Sequence, residues 1–483
     1  MINLENINFG SQVAESEKEY LINYFVETVE WKELYKDEID IILGAKGSGK
    51  SALYMILQNK ADDLKKEKGI FVVNAEKPTG QTLFSKMLDN NLLEHGRDYI
   101  LFWKLYICVI ISNSIKNDYG FINSNLMKQL KKYDLIQNDG LDGIFTSVLN
   151  VTKKLLQNIK SVEYTSLKVE THNPLESKVN FNKIEINDWL KELNDLLKKQ
   201  ESSFWILCDR LDSTFENAAN ASELESNIIR SLFKTYLDIG EFSQIKLKIF
   251  MRDDIWARII NEKGFSEASH ITKAATIKWD QSALMNLIIS RMLNNNEILG
   301  ELNITKSEVL RDYDKQQSIF YRILPEQVDK GSKKPKTFDW ICSRIEDGNK
   351  IITPRELIHF FIEIKKQQIK LNKMGKTNKD DSRIFTPDAI RNSVLNVSKD
   401  KLEKTLYSEY PNLKQYIEKL EQEKAEMKLD YLSRIWRNSE EEAENICNEL
   451  IKIGFFEKNK KGDYYKIPFL YRQPLKIKQG KQM

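Results

Sequence analysis

Ile39-Asp40-Ile41-Ile42-Leu43-Gly44-Ala45-Lys46-Gly47-Ser48-Gly49-Lys50-Ser51 decides how the rest of the chain is read. Ile39 to Leu43 is a short apolar run of the kind that forms a buried parallel strand. Gly44 to Ser51 follows at once and satisfies GxxxxGK[ST], and Ser51 to Lys66 is a good helix-forming stretch. In that setting the glycines let the main chain curl with its N–H groups pointing inward. The helix beginning at Lys50 adds its positive dipole end to the same anion. The pattern therefore predicts that Gly44, Ala45, Lys46, Gly47, Ser48, Gly49, Lys50, Ser51 and Ala52 bind the phosphates of ATP. Lys50 would lie on the β- and γ-phosphates and Ser51 on Mg2+.

Working outward, Ile70 to Val73 is a second apolar run, which closes a strand, loop, helix, strand crossover. Strand character returns at Phe204 to Cys208 and Ile245 to Met251, separated by a helix over Leu224 to Leu237, so the sheet gains at least two more strands. The first of these ends in Asp209, the carboxylate expected to complete the magnesium site. Arg210, Leu211 and Asp212 come next, so no glutamate follows Asp209. Asp212 is the nearest group able to polarise water, with a helix N-cap as its alternative role. The next strand ends in Arg252, Asp253 and Asp254. Arg252 is expected beside the loop, where it would sense the γ-phosphate; an ordinary ion pair is the alternative. Arg355, after Pro354, would reach the nucleotide from above or lie on the surface. Arg210 is a candidate arginine finger toward a neighbouring subunit.

Composition limits the rest. The 483 residues call for two to three domains, and 41% hydrophobic with 30% charged residues is the balance of a folded chain with a solvated, helix-rich surface. A net charge of +3 creates no global field toward nucleic acid or membrane. Cys108, Cys208, Cys342 and Cys447 lie far apart with no metal-ligand spacing, which suggests a reducing cytoplasm. His95, His172, His270 and His359 form no triad. Glu5, in a start without a basic-then-apolar order, argues against a signal peptide. Tyr99 to Ile111, the most apolar run, falls short of the roughly 20 residues a bilayer requires and reads as a buried helix.

The predicted fold class is α/β, a P-loop NTPase parallel sheet of AAA+ or STAND type. Residues 1–78 and 203–280 form the ATPase core and 79–202 a mainly helical insertion, with a hairpin candidate at Ser161 to Asn182. Residues 281–370 form a helical lid, with Leu357, Ile358, Phe361 and Ile362 at helical spacing, and Leu371 to Arg383 a linker. Residues 384–483 read as a winged-helix-like domain with a long helix over Leu413 to Trp436, helix Glu440 to Ile453, and strands Phe455 to Lys458 and Tyr464 to Ile467. Its last 26 residues hold eight Lys/Arg against Asp463 alone, interleaved with Tyr464, Tyr465, Phe469 and Tyr471, so DNA is a candidate partner.

Phe9-Gly10 with Ala14-Glu15 and Tyr24-Phe25, LGAKGSGKSAL at 43–53, ILCDRLD at 206–212, IFMRDDIW at 249–256 and TPREL at 353–357 make the chain similar to a bacterial family of P-loop ATPases related to the AAA+ and STAND classes. The resemblance spans roughly Phe9 to Tyr471. It implies that Phe9 and Gly10 close over adenine, that Lys50, Ser51 and Asp209 hold phosphate and Mg2+, and that Arg252 is a sensor. Arg210 stands where the catalytic glutamate of AAA+ proteins is usual, and arginine replaces asparagine at the sensor. These departures lean toward a STAND-like switch with slow turnover. The resemblance further implies a role in bacterial anti-phage defence. No nuclease or NADase signature is visible, so the effector would be a separate protein. The leading expectation is an ATP-dependent, homo-oligomeric switch without membrane association. Its rivals are a DNA loader or translocase and a scaffold that binds nucleotide without hydrolysis.

Overall fold

The computed structural model describes residues 3–76, 87, 96–136, 140–165, 185–211, 223–261, 265–302, 304–376, 383–459 and 462–482, with the backbone alone at 119, 158–165 and 301. Five parallel strands form the central sheet: β1 (Ile41–Gly44), β2 (Ile70–Asn74), β3 (Ser203–Cys208), β4 (Ile245–Arg252) and β5 (Ala274–Thr276). Their order is β2-β3-β4-β1-β5, the P-loop NTPase arrangement of AAA+ type. The strand ending in Arg252 thus lies beside the phosphate loop, and the strand ending in Asp209 lies one further out. β5 has no counterpart in the sequence reading, because three residues are too few to show a period.

Side chains alternate between the two faces, as a strand requires. Ile42, Trp205, Leu207 and Phe250 pack on one face with α1 (Lys50–Asn59). Leu43, Phe204, Ile206, Cys208, Ile249 and Met251 pack on the other. There α2 (Gly96–Ser114) and α3 (Glu223–Ile239) cover them. The predicted single helix Ser51 to Lys66 is two, broken at Lys60, with a second helix at Ala61–Lys68. Within residues 79–202, α2, with Tyr99, Trp103 and Tyr106 buried, is the buried helix expected over Tyr99 to Ile111 and is built into one face of the sandwich. Ser161 to Thr165 end a helix, Gly140–Thr165, so that part of the hairpin expectation is corrected. The remainder, 166–182, falls outside the described residues.

A second core joins α4 (Gln281–Met292), α5 (Pro354–Lys373) and α6 (Pro387–Asp400). Leu4, Ile7 and Phe9 belong to it, so the start of the chain packs on the lid and not on the sheet. Pro354 at the first turn of α5 suits that position, since its missing N–H has no partner to lose there. α5 continues to Lys373, through the first residues of the expected linker.

The third core is a winged helix: α7 (Pro411–Glu418), β6 (Lys424–Met427), α8 (Leu429–Trp436), α9 (Glu440–Lys452), β7 (Glu457–Lys458), β8 (Tyr465–Lys466) and β9 (Lys478–Lys481). The expected long helix Leu413 to Trp436 is interrupted. Gln422 turns into the left-handed region at φ 66°, and β6 pairs with β8 and β9 instead of continuing a helix. Ser439 and Glu442 close a capping box that fixes the start of α9.

Candidate nucleotide site

The phosphate loop meets the geometry its sequence demands. Gly47 and Gly49 take φ 86° and 101°, which side chains disfavour. A Cβ on Gly47 would come within 2.9 Å of both Arg355 Cβ and Thr353 Oγ1, so the lid sits directly against the loop. Lys50 Nζ donates to Gly44 O at 2.7 Å and Ala45 O at 3.0 Å. Trp279 Nε1 donates to Ser48 O at 2.8 Å and braces the loop from the strand β5 side.

A cavity of about 280 Å3 opens over this loop. Lys46 to Leu53, Asp209, Arg210, Trp279, Arg291, Pro354 and Arg355 line it, with the strap residues Ser11 to Thr28 closing the far side through Ala14, Leu21, Tyr24, Phe25 and Val26. The donors fit a triphosphate. An ammonium is already drawn to the loop's carbonyls, the buried Ser48 hydroxyl has no hydrogen-bond partner among the described residues, and Ser51 and the buried Asp209 offer hard oxygen ligands suited to Mg2+.

The structure brings together Gly44 to Ala52, Asp209 and Arg355, and separates others from them. Phe9 and Gly10 do not line the cavity. Phe9 is buried in the lid core, 5.6 Å from the Phe361 ring, and Gly10, at φ 80°, abuts Arg291 and Glu17. The apolar strap residues that follow line the cavity instead. Arg210 lines this chain's own cavity and takes the left-handed region at φ 56°. Asp212 lies outside the described residues. Arg252 is level with Gly44 in the β1–β4 ladder, but its guanidinium is already engaged. It holds Asp254 at 2.9 and 2.7 Å and Glu409 at 2.7 Å. Burial opposes that charge, yet the two carboxylates hold Arg252 protonated well above its ordinary range. Asp253, next along, is raised by burial and by Asp254, and Lys50 is the cation that draws it back down.

Sequence reasoning missed two groups. Glu409, in a short helix at Tyr407–Glu409, pairs through one oxygen with Lys46 of the phosphate loop and through the other with Arg252. A π-helical segment, Lys401–Leu406, delivers it there from α6. Arg291 of α4, buried, donates to Glu17 at 2.6 Å and to Phe9 O at 2.6 Å, and lies 4.2 Å over the Tyr24 ring. That network ties the strap to the lid. No local pattern marks either, since the partners lie 157 or more residues apart.

Among the described residues, part of the basic C-terminal stretch is paired within its own domain. Lys466 meets Glu457, Lys476 meets Glu421, and Lys481 meets Glu426, while Arg472 is buried and donates to Ile467 O. The outward face of α9 carries Glu440, Glu441, Glu442, Glu444 and Glu449, all exposed. Among the described residues no helix is long and apolar enough to cross a membrane.

This fold and this loop define the class: a P-loop NTPase with a helical lid and a winged helix. No family model matches the chain. It is 26% identical over 319 residues to an 80.3 kDa protein of transposon gamma-delta from Escherichia coli (strain K12), covering 63% of this chain and only 41% of that protein. Among solved structures it is similar to the Aeropyrum pernix ORC2 protein in ADPNP–ADP complexes, at TM-score 0.38 and 12% identity over 97% and 95% of the two chains. The Aeropyrum pernix ORC1 protein in complex with DNA gives TM-score 0.36 and 8% identity over 95% and 94%. The Pyrobaculum aerophilum Cdc6p gives 0.29 and 11% over 92% of each. Likenesses this slight carry no inference about function, and the class rests on strand order and loop geometry.

Proposed function

We propose that the chain binds ATP with Mg2+ in this cavity, hydrolyses it slowly, and uses the nucleotide to set the position of its winged-helix domain. The observation that carries this reading is Glu409, which sits between the phosphate loop and the strand-end arginine and belongs to the chain segment leading into the winged helix. Lys46 and Arg252 are the cations a γ-phosphate would recruit, so ATP and Glu409 compete for the same charges. Lys50 would exchange its loop carbonyls for the β- and γ-phosphates, and Arg355 would report the nucleotide to α5. Mg2+, held by Ser51 and Asp209, would offset the charge of the phosphates. The same reading places the protein in the cytoplasm as a homo-oligomer. The resemblance drawn from the sequence extends it to bacterial anti-phage defence with a separate effector protein.

The test is limited proteolysis and small-angle scattering of wild type, Lys50→Ala and Glu409→Gln with ATP, ADP or neither, in Mg2+. ATP is expected to loosen the winged-helix domain of wild type, to leave Lys50→Ala unchanged, and to be unnecessary for Glu409→Gln. An intact fold with no affinity for nucleoside triphosphates would end the reading.

DNA binding is a second reading, supported by the winged-helix fold and the exposed wing residue Lys458. The acidic face of α9 repels phosphates, so contact would fall on the wing. Adding duplex DNA across a salt series separates the two readings: DNA-stimulated hydrolysis with a steep salt dependence favours this one.

A further inference from the structure

The position after Asp209, where a water-polarising carboxylate is expected, holds Arg210. The sheet register points to a replacement on the neighbouring strand. β2 and β3 pair Asn74 with Leu207, and Ala75 N still donates to Leu207 O at 2.9 Å, so Glu76 stands level with Asp209. Adjacent strands are about 4.8 Å apart. Both acids are 7% exposed.

Alternation sets the direction. Phe71, Val73 and Ala75 belong to the core on the α2 side, while Asn74 turns the other way and its Oδ1 accepts from Gln58 Nε2 of α1 at 2.7 Å. Glu76, two residues on, therefore faces α1, as does Asp209, two residues beyond Leu207. Along α1, Gln58, Tyr54 and Ser51 share one face. Moving from Gln58 toward the phosphate loop passes Tyr54 and then Ser51. Moving from Asn74 by two strand residues, about 6.6 Å, brings Glu76 to the height of Tyr54, one helical turn or about 6 Å above Gln58. The Tyr54 hydroxyl is buried with no hydrogen-bond partner among the described residues. Burial pushes its phenol well up, and the charges of Asp209 and Glu76 add to that. The buried Cys208 thiol is likewise raised, by burial first and then by Glu76 and Asp209.

We propose that Glu76 is the water-polarising carboxylate of this ATPase, supplied by the strand beside Asp209 in place of a glutamate following it. The inference rests on the reading of the cavity as an ATP site. In the step assigned to it, the water oxygen bonds to the γ-phosphorus. The bond from that phosphorus to the β–γ bridging oxygen breaks, and its electron pair leaves with ADP. The water proton passes to the Glu76 carboxylate.

The experiment measures Mg-ATP affinity, single-turnover phosphate release and thermal melting for wild type, Glu76→Gln and Glu76→Asp. Glu76→Gln is expected to bind ATP within about 3-fold of wild type while losing at least about 100-fold in turnover. Glu76→Asp should regain part of that turnover. Turnover of Glu76→Gln near the wild-type rate overturns the proposal, and so does loss of ATP binding by both folded Glu76 variants. Wild type that binds ATP without hydrolysing it also overturns it, leaving the switch standing. Wild type that fails to bind ATP removes the underlying reading instead.

Discussion

Lys50 illustrates how much one residue carries. Its ammonium sits 2.7 Å from Gly44 O, holding the loop in a closed curl around its own carbonyls. Lys50→Ala should weaken Mg-ATP binding at least about 10-fold, since a charge-assisted contact to phosphate contributes roughly 1.5–3 kcal/mol; titration with a fluorescent ATP analogue checks this. Asp347 gives a pH-dependent counterpart. It lies between the lid and the winged helix, where its Oδ1 accepts from Asn349 N and Ile351 N, both at 2.9 Å. Burial pushes its carboxyl from 3.8 to about 6. The folded state therefore holds this proton over a range where the unfolded chain has released it. Stability falls as pH rises from about 4 to 6, by up to about 3 kcal/mol. Asp347→Asn should melt higher than wild type at pH 7.5 and alike near pH 4, as read by thermal denaturation at both values.

Among the elements, the strap and the lid helix α4 form one mechanical unit. The Arg291–Glu17 pair is buried on both sides, and the Tyr24 hydroxyl donates to the same carboxylate at 2.5 Å. A methyl group on Gly10 would collide with Arg291 and Glu17 while also straining a φ of 80°. Gly10→Ala is thus expected to loosen the strap and weaken nucleotide binding although Gly10 lies off the cavity; hydrogen exchange over residues 11–28 should rise. The start of α4 is capped by Asp280, whose carboxylate accepts from Ala283 N at 2.7 Å. Asp280→Ala should cost about 1 kcal/mol, measurable as a lower melting temperature without loss of the sheet.

For the whole molecule, three separate cores meet at the phosphate loop. Arg252, Glu409 and Lys46 form a chain of ion pairs in which removing Glu409 leaves Arg252 on Asp254 and takes the carboxylate from Lys46. Glu409→Ala should accordingly lower the melting temperature in the absence of nucleotide, and saturating ATP should restore much of the difference by refilling the vacancy with phosphate. A differential scanning measurement with and without Mg-ATP tests this, and a melting difference unchanged by ATP would remove the competition.

The phosphate loop, the strand ending in Asp209 and the buried character of α2 were legible in the sequence. A glycine-bounded anion cradle and continuous apolar runs are local signals, set by backbone sterics and burial within a few residues. The fates of Phe9, Arg252 and the basic C-terminal residues were not legible. Each depends on a partner distant in the chain: the lid core for Phe9, Glu409 for Arg252, and the domain's own glutamates for Lys466, Lys476 and Lys481. Burial and pairing of a charge are properties of its neighbours in space, so only the packed tertiary structure decided which cations face a ligand and which are already satisfied.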